Sequence, residues 1–170
     1  REITIVLLVD ASASLRFGSR VAFKNELSDE GAALVAFDTQ RNNDRVGLLL
    51  ATDRIERYLP PRRGHAHALR VLREMLYFEP EGRGSDVSEA VRHFQNIQRR
   101  RAVLFIFSDF LGQDLPQLER TLRLAGRRHD VVCVRISDPL ERRVPKAGLV
   151  EFLDPETGKN VLIDTSSRAW

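Results

Sequence analysis

Ile3-Thr4-Ile5-Val6-Leu7-Leu8-Val9-Asp10-Ala11-Ser12-Ala13-Ser14 is an apolar run that ends on one carboxylate and two hydroxyls. Near-continuous apolarity over Ile3–Val9 is the mark of a strand buried on both faces, and so of a parallel sheet with helices on each side. Asp10, Ser12 and Ser14 then stand just past the carboxyl end of that strand, where open α/β sheets bind their ligands. Alternate residues of an extended chain point the same way, so the three side chains converge if the segment leaves the sheet extended. One carboxylate with two hydroxyls suits a hard cation. Magnesium takes oxygen ligands in near-octahedral geometry and keeps several waters, which leaves coordination positions open for a group from a partner.

Working outward, three more short apolar runs follow, Val46–Ala51, Ala102–Phe107 and Val131–Ile136, with room for helices between them. Val21, Leu27, Leu34 and Phe37 mark a helix over 20–40 that stops at Asn42-Asn43-Asp44. The alternating stretch Arg54–Leu59 follows the second run too closely for a crossover. It is expected to be an antiparallel edge partner, ended by Pro60-Pro61. Leu69, Leu72, Met75 and Leu76 predict a helix over 65–77, and Val87, Val91, Phe94 and Ile97 one over 86–99. Asp114-Leu115-Pro116-Gln117 has the form of an N-cap with proline in the first turn, opening a helix to about Ala125. Asp154-Pro155-Glu156-Thr157-Gly158 separates Leu149–Leu153 from Val161–Ile163 as the turn of a C-terminal β-hairpin. The expected fold is therefore α/β: a three-layer, doubly wound, mostly parallel sheet flanked by helices, with an antiparallel edge strand and that hairpin.

Composition narrows the function classes. The chain of 170 residues, 42% hydrophobic and 30% charged, is long enough for one globular domain with a real core. It begins almost inside its first strand and without Met, so the expectation is a single domain over 1–170 from a longer protein whose N-terminal region is missing. Basic residues exceed acidic ones by 27 to 24, but the arginine doublets are scattered and aromatics make up only 7%, which argues against a nucleic-acid surface. No apolar run approaches the ~20 residues of a membrane span. A cytoplasmic domain is expected, with any membrane anchor in the missing region. The lone Cys133, inside Val131-Val132-Cys133-Val134, is expected to be buried in a strand.

Two further oxygen groups fall at matching places in this order of elements. Arg83-Gly84-Ser85-Asp86 opens a helix, and Ser108-Asp109-Phe110 closes the strand Ala102–Phe107. Asp86, with Glu89 behind it, also has the form of a helix cap. Asp138-Pro139, at another strand end, fits a turn better than a second site. The constellation resembles the von Willebrand factor A (vWA) domain and its metal-ion-dependent adhesion site. In that resemblance Asp10, Ser12 and Ser14 take the D-x-S-x-S positions, Ser85 stands where threonine is usual, and Asp109 is the later aspartate. Serine keeps the hydroxyl and loses a methyl group. The chain is more narrowly similar to the bacterial DUF58 family through Leu8–Ser14, Asp44-Arg45-Val46-Gly47-Leu48, Tyr58–Gly64, Ser108-Asp109-Phe110, His129-Asp130-Val131-Val132 and Ser137–Glu141. That resemblance implies a protein-interaction module working with a MoxR-type AAA+ ATPase, or its client, in assembly or activation of other complexes. It implies Mg²⁺, or Mn²⁺ or Ca²⁺, at the site, capturing an acidic residue of the partner.

Two other readings compete. A metal-free interaction scaffold shares the fold and binds through arginine-rich loops around Arg62-Arg63 and Arg142-Arg143. A phosphatase-type enzyme also places an aspartate after its first strand, but wants a second carboxylate where this chain has Ser12, and no glycine-rich phosphate cradle is present. The four histidines, His65, His67, His93 and His129, show no partner for serine catalysis. No enzymatic activity is expected.

Overall fold

The computed structural model describes residues 2–16, 24–138, 149–153 and 159–164. The elements are β1 (Thr4–Asp10), α1 (Lys24–Arg41), β2 (Arg45–Ala51), β3 (Ile55–Arg62), α2 (His65–Leu76), α3 (Val87–Ile97), β4 (Val103–Ser108), α4 (Leu115–Gly126), β5 (Asp130–Arg135), β6 (Leu149–Leu153) and β7 (Asn160–Asp164). Strand order in the main sheet is β3-β2-β1-β4-β5, and only β3 runs antiparallel. Because β1 connects to β2 on one side and β4 lies on the other, the crevice of a doubly wound sheet opens at the carboxyl ends of β1 and β4. β6 and β7 form the expected antiparallel pair, while its turn at 154–158 lies outside the described residues.

Strand pleating assigns the two faces. Leu7, Val9, Leu48, Leu50 and Phe107 pack with Ala32 and Ala36 of α1 and Val71, Leu72 and Met75 of α2. Their neighbours Val6, Leu8, Leu49, Leu104 and Ile106 pack with Val91 and Phe94 of α3 and Leu118 and Ala125 of α4. β1 is thus apolar throughout Ile5–Val9 because each alternate side chain meets a different helix layer.

Several details depart from the expected pattern. Leu34 is 72% and Phe37 45% exposed; α1 instead buries Ser28, Ala32, Ala36 and Thr39. A helix lying close over strands rich in leucine and phenylalanine needs small side chains on its inner face. Val21 lies outside the described residues. In α2 the buried stripe is Ala68, Val71, Leu72 and Met75, leaving Leu69 and Leu76 exposed. Ile97, at the end of α3, is likewise partly exposed. Cys133 is in its strand but exposed, because β5 is an edge of the main sheet among the described residues. β3 also continues through Pro60 and Pro61 to Arg62. An edge strand tolerates proline where the missing N–H faces away from the ladder, and the register shifts between Val46/Arg62 and Leu48/Leu59. Gly47 sits at that shift, where a Cβ would meet Pro61 Cγ at 2.9 Å and Leu59 O at 3.0 Å.

His129, between α4 and β5, is 2% exposed and packs edge-on against Phe94 with ring centroids 4.7 Å apart. Neither ring nitrogen has a hydrogen-bond partner among the described residues. Burial, with help from Arg128 and against Asp130, holds its pKa below the usual imidazole value. A histidine kept neutral in this way must take up a proton on unfolding in acid, so stability is complete above the ordinary histidine pKa and falls as the pH drops below it. Urea denaturation at pH 7.5 and 5.5 is expected to show that His129→Leu flattens this decline and costs no stability at pH 7.5. An unchanged pH slope in the variant would refute the assignment.

Candidate functional site

The site is built on the last residue of β1. Val9 pairs with Leu50 of β2 and Phe107 of β4, which puts Asp10 in mid-sheet at the carboxyl edge. Ala11 N–H donates to Ala51 O at 2.7 Å, extending the strand by a residue before a 3₁₀ turn over Ala13–Arg16. Asp10 is only 3% exposed. Its Oδ1 accepts the Ser12 N–H at 2.9 Å, and its Oδ2 accepts the hydroxyls of Ser85 at 2.8 Å and Ser108 at 2.6 Å. Ser12 Oγ and Ser14 Oγ lie 3.1 Å apart, both in buried residues. Four of the five expected ligands, Asp10, Ser12, Ser14 and Ser85, thus form one hydrogen-bonded cluster.

Ser85 owes its position to the loop before α3. Asp86 serves as the N-cap, accepting Glu89 N–H at 2.8 Å, and this leaves Ser85 to face Asp10. The loop is tied down by Ala13 N–H to Arg83 O at 2.9 Å and Asp86 N–H to Thr52 O at 3.0 Å. Glu56 Oε1 accepts both Gly82 N–H at 2.7 Å and the Thr52 hydroxyl at 2.8 Å. Burial pushes the Glu56 carboxyl up, but the donors at Gly82, Thr52 and Glu81, with the Arg54 charge, outweigh it and hold the pKa below the usual range. Gly82 has no room for a side chain: a Cβ there would lie 2.1 Å from Thr52 Oγ1 and 2.9 Å from Thr52 Cβ.

Asp109, 1% exposed, follows Ser108 on a turn made by side chains. Ser108 Oγ accepts Phe110 N–H at 2.9 Å, and Asp109 Oδ1 accepts Leu111 N–H at 3.0 Å. Phe110 is held at φ 57°, a left-handed conformation that costs a residue with a side chain roughly 1–2 kcal/mol. Asp138 is buried just beyond β5, and Pro139 lies outside the described residues.

Two residues were missed as site members. Ser108 appeared only as part of a motif, although an in-register β4 beside β1 sets it next to Asp10. Gln113 donates to Ser85 Oγ at 2.9 Å and to Ser85 O at 3.1 Å, while its Oε1 accepts Val87 N–H at 3.0 Å. Nothing in its local sequence marks it, because the contact joins segments 28 residues apart.

Burial pushes the Asp10 carboxyl up, and the hydrogen bonds from Ser108, Ser12 and Ser85 oppose it without restoring the ordinary value. The donor set, one carboxylate and the hydroxyls of Ser12, Ser14 and Ser85, is of the oxygen type a hard cation takes. The Ser12–Ser14 contact at 3.1 Å and the Ser85–Asp10 contact at 2.8 Å are hydrogen bonds within that set. Among the described residues no group of three or more His, Cys, Asp or Glu side chains offers a conventional metal cluster. Any cation here depends on serine hydroxyls.

A family model described as "Protein of unknown function DUF58" matches residues 1–170. The chain belongs to the DUF58 family. This DUF58 domain is 33% identical over 160 residues to the uncharacterized protein Rv1480 of Mycobacterium tuberculosis, covering 93% of the chain and 50% of that protein. The chain thus spans about half the length of the curated relatives it matches. Among solved structures, it is similar to the conserved hypothetical protein BatB of Bacteroides thetaiotaomicron, with a TM-score of 0.68 at 11% identity, over 96% of this chain and 80% of that one. It also resembles the VWA domain of SpRpn10, with a TM-score of 0.50 at 15% identity, over 81% of this chain and 90% of that one. The DUF58 domain therefore has a vWA-like α/β fold. No helix among the described residues is long and apolar enough to cross a membrane.

Proposed function

We propose that this domain is a protein-interaction module that holds a divalent cation, Mg²⁺ foremost, at Asp10, Ser12, Ser14, Ser85 and Asp109 and captures an acidic residue of a partner. The observation that carries the reading is the convergence of Ser85 and Ser108, from two other segments, on Asp10 Oδ2 at 2.8 and 2.6 Å. When bound, the cation supplies an electrophilic position for a carboxylate. The serine hydroxyls contribute no charge and so leave that electrophilicity undiminished. Asp10 and Asp109 act mainly by orienting water, a role whose loss in metal sites commonly costs 10–100-fold in affinity. Gln113 and the Asp86 cap hold Ser85 in place.

The partner proposed is a MoxR-type AAA+ ATPase or its client, on the strength of the family resemblance, with the module serving assembly or activation of other complexes. The proposed location is cytoplasmic, with any membrane anchor in the part of the longer protein beyond these residues. No catalytic step is proposed, since Ser12 occupies the position where a phosphotransfer site carries its second carboxylate.

A metal-free scaffold is the second reading, favoured by the way the cluster already pairs its own carboxylate and hydroxyls. Of the arginine loops that reading relies on, Arg63 is paired with Glu2, and Arg142-Arg143 lie outside the described residues. Calorimetric titration with Mg²⁺ and Mn²⁺ separates the readings. Saturable binding is expected for the wild type, lost in Asp10→Asn and weakened at least ~10-fold in Ser85→Ala. Absence of binding at millimolar cation in the folded wild type would replace the metal site with the scaffold.

A further inference from the structure

On the α1 and α2 side of the sheet, beside Asp10, lies a cavity of about 180 Å³. Leu15, Leu50, Met75 and Phe78 supply apolar wall, and Asn25, Ser28 and Asp29 of α1, with Asp10 and Ser12 at the end of β1, supply the polar groups. Ser28 is 1% exposed, and its hydroxyl has no hydrogen-bond partner among the described residues. A buried polar group left in this state is costly unless something else satisfies it. Asp29 is half-buried on the same cavity, and no hydrogen bond or ion pair of its carboxylate occurs among the described residues.

We propose that this cavity takes a primary ammonium on a straight alkyl stem, the chemistry of a lysine side chain presented by a partner protein. An ammonium carries three donors and no acceptor, which matches one carboxylate and one hydroxyl oxygen. The methylenes of its stem lie against leucine, methionine and phenylalanine, as lysine stems do when only the head group is polar. A neutral alcohol of the same length fills the space but brings Asp29 one hydroxyl donor and no charge. Burial, with the neighbouring Glu26 charge, raises the Asp29 pKa to about 6, so the carboxylate is ionised at neutral pH and gains by pairing with a cation. The inference stands on the cavity alone and requires no cation at Asp10.

The probe is n-butylammonium chloride, with 1-butanol as its neutral counterpart, titrated into the ¹⁵N-labelled 170-residue chain at pH 7.5 while the amides of Val9 and 25–30 are followed. Saturable shifts are expected with a dissociation constant on the order of a millimolar. Binding should weaken at least tenfold in Asp29→Asn, disappear in Ser28→Leu with the amide spectrum otherwise retained, and persist in Ser85→Ala, whose side chain does not line the cavity. The proposal is overturned by 1-butanol binding as tightly as the amine, by Asp29→Asn binding the amine undiminished, or by no saturable shift at all. Persistence in Ser85→Ala, where Mg²⁺ binding is expected to weaken, keeps the failure of one site distinguishable from the failure of the other.

Discussion

Asp10→Ala is expected to lower the free energy of unfolding by roughly 3 kcal/mol, whereas Asp10→Asn should stay within about 1 kcal/mol of wild type. The alanine removes the acceptor of the Ser12 N–H and of the Ser85 and Ser108 hydroxyls, of which Ser12 and Ser108 are fully buried and Ser85 half-buried. Each buried polar group stranded in this way costs about 1–3 kcal/mol. The total stays below their sum because Ser108 Oγ still bonds Phe110 N–H and Ser85 Oγ still bonds Gln113. Asparagine keeps the shape and an acceptor for Ser12 N–H, and its amide donates to the two hydroxyl oxygens, whose own hydrogens must then turn to another acceptor. It also removes a carboxylate that burial disfavours. Urea denaturation of the three proteins at one pH measures the contrast. Equal stabilities for the alanine and asparagine variants would mean that the hydrogen bonds to Asp10 contribute nothing to the fold.

Gly82→Ala is expected to cost roughly 2–3 kcal/mol, in the range of strained insertions into packed sites, and to weaken Mg²⁺ binding at least ~10-fold. The added Cβ meets not only Thr52 Oγ1 at 2.1 Å but Thr52 Cβ at 2.9 Å, so rotating a hydroxyl does not relieve it. Either the loop retreats or Thr52 moves, and both loosen the Gly82–Glu56–Thr52 clamp on the loop that presents Ser85. Gly84→Ala is the control. Its Cβ comes no closer than 3.3 Å to Asp53 Cβ, a contact relieved by a few tenths of an ångström. Denaturation and calorimetry on the pair are decisive: if both alanine variants behave alike, the clamp does not position Ser85.

Much of this architecture is written in local pattern. Apolar runs in β1, β2 and β4 announce strands covered on both faces because helix layers on either side remove every alternate side chain from water. The Asp114 cap shows in sequence because its bond to Gln117 N–H, at 3.1 Å, spans three residues. Asp10, Ser12 and Ser14 were legible for the same reason, since two-residue spacing after a strand fixes their direction.

What lies beyond local pattern is whatever depends on which element meets which. The inner face of α1 is small rather than apolar because the sheet beneath it supplies the bulk, and no periodicity within 24–41 reveals that. Pro60 and Pro61 continue β3 because it is an edge strand, a property of the sheet and not of the dipeptide. Ser108 and Gln113 join the site through contacts made across 98 and 28 residues. By itself, then, the sequence determined the strand and helix order and the first oxygen triplet, because those follow from the chain's own periodicity and spacing. Only the tertiary structure decided that Ser85 faces Asp10, that Ser108 completes the carboxylate's shell, and that a cavity with an unpartnered Ser28 lies beside it, because each depends on segments distant in the chain closing on one another.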